Sequence, residues 1–207
     1  MKKFSFLVIP FILLLGLFTA PVNAEVSDDV EKYEDEFSDL SQKEVNEKFE
    51  EINEKYDIEE EFSKRDQAFV KMYAEPINDE SNNIKPMATE SVSESKTKNG
   101  VTVKVNGTLD INNQGVINQS FGANLKTRTT KGASKVNSVK TEVEHNAYGI
   151  IGSGGIGKTY TGKLTNSGKN NDIDSSKNYQ ANAAYAVSTV TVTVNHGANK
   201  QFTVNYP

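Results

Sequence analysis

The chain has 207 residues, of which 36% are hydrophobic and 25% charged, and a formal net charge of −5. It contains no cysteine, no tryptophan and two histidines. These counts exclude a disulfide framework, thiol catalysis and cysteine-ligated zinc or iron–sulfur centres.

Residues 1–24 have the pattern of a cleavable secretory signal peptide. Lys2 and Lys3 precede an uncharged run from Phe4 to Ala20, and Val22-Asn23-Ala24 places small residues at a cleavage point between Ala24 and Glu25. The run contains Pro10 and is shorter than the roughly 20 residues a membrane-spanning helix needs. No cysteine follows it to carry a lipid. The expectation is a secreted, extracellular protein, bacterial by its lack of cysteine, that holds together without disulfides.

Past the signal, the charge is divided. Residues 25–95 hold 23 acids against 8 bases, whereas residues 96–207 hold 13 bases against 5 acids. Residues 25–76 read as an acidic helical leader resembling a pro-region. Val26, Val30, Tyr33, Phe37 and Leu40 recur at helical spacing, and so do Val45, Phe49, Ile52 and Tyr56. Ser41 with Glu44 is a capping box that restarts the helix. Phe62, Phe69 and Tyr73 predict a weaker last helix that Pro76 stops. The apolar stripe runs about two heptads per helix, coiled-coil-like but short of the three or four that a coiled coil needs.

Residues 77–99 read as a polar linker without periodicity. Residues 100–207 read as a basic all-β domain, because Val101–Val105, Val190–Val194 and Phe202–Val204 alternate with polar residues. Weaker runs fall at 116–127, 136–145, 158–164 and 179–187. Six to eight strands with turn-formers between them predict an antiparallel β-sandwich or barrel. The expected fold is therefore mainly β: a C-terminal sandwich preceded by the helical leader and the signal peptide.

Residues 152–159 match the phosphate-binding P-loop pattern, but an alternating β-type run follows Lys158 where that motif requires a helix. The match is read as accidental, a glycine-rich hairpin, and no nucleotide or other cofactor is expected. The surrounding apolar stretch, Ile150, Ile151, Gly152, Gly154, Gly155, Ile156 and Gly157, is either a loop for an apolar surface or a cap on the core. Asp172 and Asp174 begin like a calcium loop, but Lys177 and Ala183 occupy its glycine and glutamate positions, so no EF-hand is expected. No nucleophile elbow and no zinc motif occurs. His145 faces away from Glu142 and Glu144 on any strand. No catalytic, cofactor or metal residue is assigned, and the protein is expected not to be an enzyme.

Two stretches lack acids entirely. The first carries Lys126, Arg128, Lys131, Lys135 and Lys140; the second carries Lys158, Lys163 and Lys169. Such stretches favour polyanions by steering. Nucleic acid is disfavoured because aromatics for base stacking are few. The expected partner is an anionic cell wall or membrane surface, bound by Lys126, Arg128, Lys131, Lys135, Lys140, Lys158 and Lys163. The acidic leader is expected to mask or chaperone this basic domain. An antagonistic, bacteriocin- or toxin-like role leads the biological expectations. The alternatives are a structural matrix or surface-assembly protein, whose strand edges would template pairing, and a secreted hydrolase.

Overall fold

Alternating β-branched residues build the strands, and three short amphipathic segments build the helices. The computed structural model describes residues 29–76, 88–113, 119–152, 154–198 and 200–206. The expected signal peptide, its Ala24–Glu25 cleavage point and residues 77–87 of the expected linker lie outside the described residues. In chain order the elements are α1 (Asp29–Phe37), α2 (Gln42–Lys55), α3 (Lys64–Tyr73), β1 (Glu75–Pro76), β2 (Ala88–Lys98), β3 (Val101–Asn113), β4 (Gln119–Lys131), a 3-10 turn (Ala133–Lys135), β5 (Val136–Ile151), β6 (Gly155–Gly168), β7 (Asn171–Tyr179), β8 (Tyr185–His196) and β9 (Lys200–Tyr206).

The strands form two antiparallel sheets. Sheet A runs β6-β5-β8, with β9 and the two-residue β1 sharing the far edge of β8; sheet B runs β2-β3-β4-β7. The sandwich is therefore mainly β, as the alternation predicts. The expected run at 179–187 is divided, with 180–184 outside any strand, and two strands form where none was expected. Residues 88–98, expected as linker, form β2 and pair with β3 along their whole length. Residues 171–179, expected as a polar turn, form β7 beside β4. Both are sheet-edge strands with few apolar side chains, so their alternation is faint: Val92 is the buried residue of β2.

Inner faces of the two sheets interdigitate to form the main core. Val103, Val105, Leu109, Phe121 and Leu125 of sheet B meet Val139, Val143, Val190, Val192 and Val194 of sheet A, all essentially inaccessible. Each such side chain contributes about 1.5–3 kcal/mol when fully buried. A hydroxyl pair crosses the core, Thr127 Oγ1 to Thr141 Oγ1 at 2.7 Å. At one side Asn166 donates to the Asp172 carbonyl at 2.7 Å; at the other Tyr206 donates to Glu90 at 2.7 Å. The two sheets thus touch along both sides without joining into one ladder.

Their outer faces differ completely. On sheet B every outward position is polar or glycine. Its rungs read Ser93-Asn106-Lys126-Asp172, Ser91-Thr108-Asn124-Asp174 and Thr89-Asp110-Gly122-Ser176 from β2 to β7. Sheet A instead presents Tyr148, Ile156, Tyr185 and Val187 outward, and the helices cover them. Phe49 stacks on Tyr148 with ring centroids 6.2 Å apart, and Phe62 meets it edge-on at 5.8 Å. Phe69 and Ile52, both 0% exposed, fill the space between helices and sheet.

The helices themselves follow the sequence signals. The capping box forms: Glu44 N–H donates to the Ser41 hydroxyl while the Glu44 carboxylate accepts from Ser41 N–H at 2.8 Å. Asp66, 1% exposed, ties α2 to α3. It accepts from Lys55 at 2.8 Å, Tyr56 at 2.8 Å and Ser63 at 2.9 Å, and Lys48 lies 3.1 Å from its other oxygen. Burial pushes the Asp66 carboxyl up, but the hydrogen bonds from Lys55, Tyr56, Ser63 and Lys48 outweigh it and hold the group well below its ordinary 3.8. The unfolded carboxylate is protonated as pH falls through that ordinary value while the folded one stays ionised. Its contribution is therefore full above about pH 4 and is lost below it. Asp66→Asn is expected to cost about 3 kcal/mol at neutral pH, read as a lowered urea midpoint. The gap between the two proteins should narrow as the pH is taken from about 5 towards 2; a gap independent of pH would show that the charge is not what holds the helices.

Candidate functional site

Four turns converge at one end of the sandwich. The β2–β3 turn is Asn99-Gly100, with φ of 53° and 74°, the two left-handed residues that the tightest hairpin requires. The β4–β5 connection passes through Gly132 and the 3-10 turn, and packs so closely that a Cβ on Gly132 would overlap the Gly100 carbonyl oxygen. In the β8–β9 turn, Gly197 N–H donates to the Lys135 carbonyl at 3.0 Å, and Asn137 donates back to Gly197 at 2.8 Å. The β6–β7 turn is held by Asn170, whose side-chain oxygen accepts from Thr129 N–H at 2.9 Å.

These turns carry Lys98, Lys131, Lys135, Lys169 and Lys200, all exposed. No Asp or Glu lies on them, and none of the five lysines is ion-paired among the described residues. Lys104 and Lys126 project from the adjoining outer face of sheet B, next to Arg128. The result is a cationic end whose four turns carry no acid of their own, and like charges at close quarters make an external anion favourable there.

The other lysines of the acid-free stretches lie elsewhere. Arg128 is bound in a two-pronged ion pair with Asp172, one prong at 2.9 Å, which holds the Asp172 carboxyl below its ordinary range. Lys140 and Lys163 stand on the outer face of sheet A. Lys140 pairs with Glu142 at 2.6 Å, and Lys163 with Glu142 at 3.2 Å and Glu144 at 2.7 Å. Burial pushes Glu142 up, but its two lysines prevail and keep it ionised. Lys158 is buried at 7% exposure and donates to the Asn53 carbonyl at 2.8 Å beneath α2. Of the expected set, then, Lys131 and Lys135 share the cationic end, with Lys126 and Arg128 beside it. Lys98, Lys104 and Lys200 join them without having been singled out. The Asn99-Gly100 dipeptide is the sequence signal for the hairpin that brings Lys98 into place.

The helical layer covers Lys158 and leaves the lysines of the four turns exposed. Its apolar contacts lie on sheet A, at the ends of β5 and β8 remote from the four turns, while Lys126 and Arg128 point the opposite way from sheet B. The helices dock through aromatic packing.

The glycine-rich stretch forms the β5–β6 hairpin, and a strand follows Lys158 where a P-loop has its helix. Gly152 and Gly154, with φ of 54° and 115°, make the turn. Gly157 leaves room for the chain after α2: a Cβ there would overlap the Glu60 carbonyl oxygen. In that gap Phe62 N–H donates to the Ile156 carbonyl at 2.9 Å and Glu59 N–H to that of Lys158 at 2.8 Å. Ile156 is buried under the helices, Ile151 is half-buried and Ile150 is 41% exposed.

Neither histidine faces solvent. His145 lies at the centre of the sandwich, stacked on Phe121 at 4.6 Å, with Nδ1 2.8 Å from Ser188 Oγ and Nε2 3.0 Å from Tyr179 Oη. His196 packs edge-on against Phe202 at 5.6 Å. Both ring nitrogens of His145 are occupied inside the core, which leaves none for a substrate. Asp172 and Asp174 occupy outward positions of β7. Comparison with protein-family models, curated proteins and solved structures finds no match to this chain.

Two predictions follow from these buried groups. Burial holds the His145 imidazole down at about 3, against 6.5 for the free side chain. Below about pH 6.5 the unfolded chain takes up a proton that the folded one refuses, so stability falls with pH until about 3. Going from pH 6.5 to 5 should cost about 2 kcal/mol from this residue alone; His145→Gln should flatten that slope in urea titrations. Lys158→Met, which leaves the Asn53 carbonyl without its donor, should cost about 1–3 kcal/mol and loosen the helices, read as faster hydrogen exchange in α2.

Proposed function

We propose that the protein is a secreted, non-enzymatic binder of an anionic component of the cell envelope, held by its lysine-bearing end. The observation that carries this reading is the convergence of Lys98, Lys131, Lys135, Lys169 and Lys200 on four neighbouring turns without one acid among them. A net-negative chain gains nothing in solubility from such a concentration of uncompensated lysine, and its favourable partner is an external polyanion. The helices belong in this reading to the folded body as a second apolar layer, and leave the lysines open. No described helix is long and apolar enough to cross a membrane.

The test is binding of the full chain to vesicles of phosphatidylcholine with and without phosphatidylglycerol. Each lysine near an anionic surface contributes about 1 kcal/mol, and salt screens that contribution. Changing the five lysines to glutamine together should lower affinity for the anionic vesicles at least tenfold and flatten its salt dependence, with the thermal midpoint unchanged. Equal binding by both proteins at low salt would overturn the reading.

A further inference from the structure

The cationic end continues onto an unpartnered surface, the outer face of sheet B. Four strands wide, this face carries no apolar side chain among the described residues, in contrast to the outer face of sheet A with its tyrosines and helices. Its composition changes along the strands. Next to the four turns it is basic: Lys104 stands opposite Arg128, and Lys126 is the diagonal neighbour of Lys104, about 7–8 Å away. Asp172, opposite Lys126 in register, is ion-paired with Arg128. Two rungs further on, the face becomes hydroxyl- and amide-bearing. Gly122 has no side chain there, and a depression of about 560 Å³ opens, lined by Thr108, Asn124 and Ser176 and by Asp110 and Asp174, which stand opposite Gly122 and Asn124.

Resting on the proposed function above, we infer that this face takes one class of ligand, a linear polyol phosphate. Its phosphates pair with Lys104, Lys126 and the lysines of the four turns. Its hydroxyl-bearing units lie over the depression at Gly122, where Thr108, Asn124 and Ser176 offer both donors and acceptors and where the aspartates accept hydrogen bonds but repel phosphate. A bilayer fits this face less well. Ile58 and Ile150 are the large exposed apolar side chains among the described residues, and both lie outside sheet B. A lipid surface would meet only the lysines and leave the hydroxyl-bearing rungs without a partner, whereas a polymer repeating charge and hydroxyl matches both halves.

The experiment compares three probes on the full chain: poly(glycerol phosphate) of defined length, inorganic polyphosphate of matched charge, and phosphatidylglycerol vesicles. Thr108→Trp and Asn124→Trp each fill the depression from an outward position; circular dichroism and thermal melting select the one that keeps the fold. The expected result is at least tenfold tighter binding of poly(glycerol phosphate) than of polyphosphate, with that preference lost in the tryptophan variant. Binding of polyphosphate and of vesicles should stay within about twofold of the parent. Equal affinity for the two polymers, unchanged by tryptophan, overturns the inference while leaving the lysine end as a general anion site. Tighter binding to vesicles than to either polymer also overturns it, with a membrane as the occupant. Loss of neither polymer on changing the five turn lysines to glutamine places the failure in the proposed function itself.

Discussion

A sheet in a two-layer sandwich needs only one buried face, but sheet A has two, and the arrangement turns on Tyr148. Its ring lies outward, 0% exposed, under Phe49 and Phe62. The neighbouring strand makes this possible with a bulge. Ala147 pairs with Tyr160 and Tyr148 with Lys158, leaving Thr159 unpaired between them. That extra residue lets Ile156 and Lys158 face the helices while Tyr160 still reaches the inner core. One inserted residue thus serves two apolar layers on either side of the same strand.

With the apolar surplus gathered on sheet A, sheet B is left wholly polar outside, and the division of labour follows. The helices dock where tyrosine and isoleucine await them, at the ends of β5 and β8 furthest from the four turns. Their acidic residues therefore lie over sheet A, where Glu50 and Glu54 share a cleft with Lys163, and away from the lysines of the four turns. Attraction between acidic and basic segments is weak across water and screened within about 10 Å at ordinary salt, whereas closing aromatic side chains against one another removes a large apolar area from solvent. Packing decided the site of docking, and the charges followed.

Where the sequence speaks through periodicity, it is legible. Val101–Val105 and Val190–Val194 alternate because one face meets the core, and Ser41 with Glu44 announces the start of α2. Edge strands obey a different rule. In β2 the positions on the sandwich side include Glu90, Glu94 and Lys96, which blunt the edge against foreign strands and also erase its alternation. In β7 only Ile173 and Tyr179 are buried apolar residues, so the strand looks like a turn. The candidate site was half legible for a related reason. Acid-free stretches flagged Lys131 and Lys135, but Lys98 and Lys200 come from distant parts of the chain and meet them only through the closing of hairpins. Lys158, flagged by the same rule, is held inside by the Asn53 carbonyl.

The contact between Lys158 and Asn53 spans 105 residues of sequence, and that from Tyr148 to Asn53 spans 95. The helices come first along the chain, yet their docking surface does not exist until the β5–β6 hairpin has closed. Helices this short are marginal in water by themselves, and non-local pairing of this kind is slow to form. A newly made chain therefore carries Phe49, Ile52 and Phe69 unprotected while it waits for its own C-terminal half. Like charges repel, so the dense negative charge on the same segment opposes contact between such chains, a contribution separate from the packing that the aromatic residues make in the folded state.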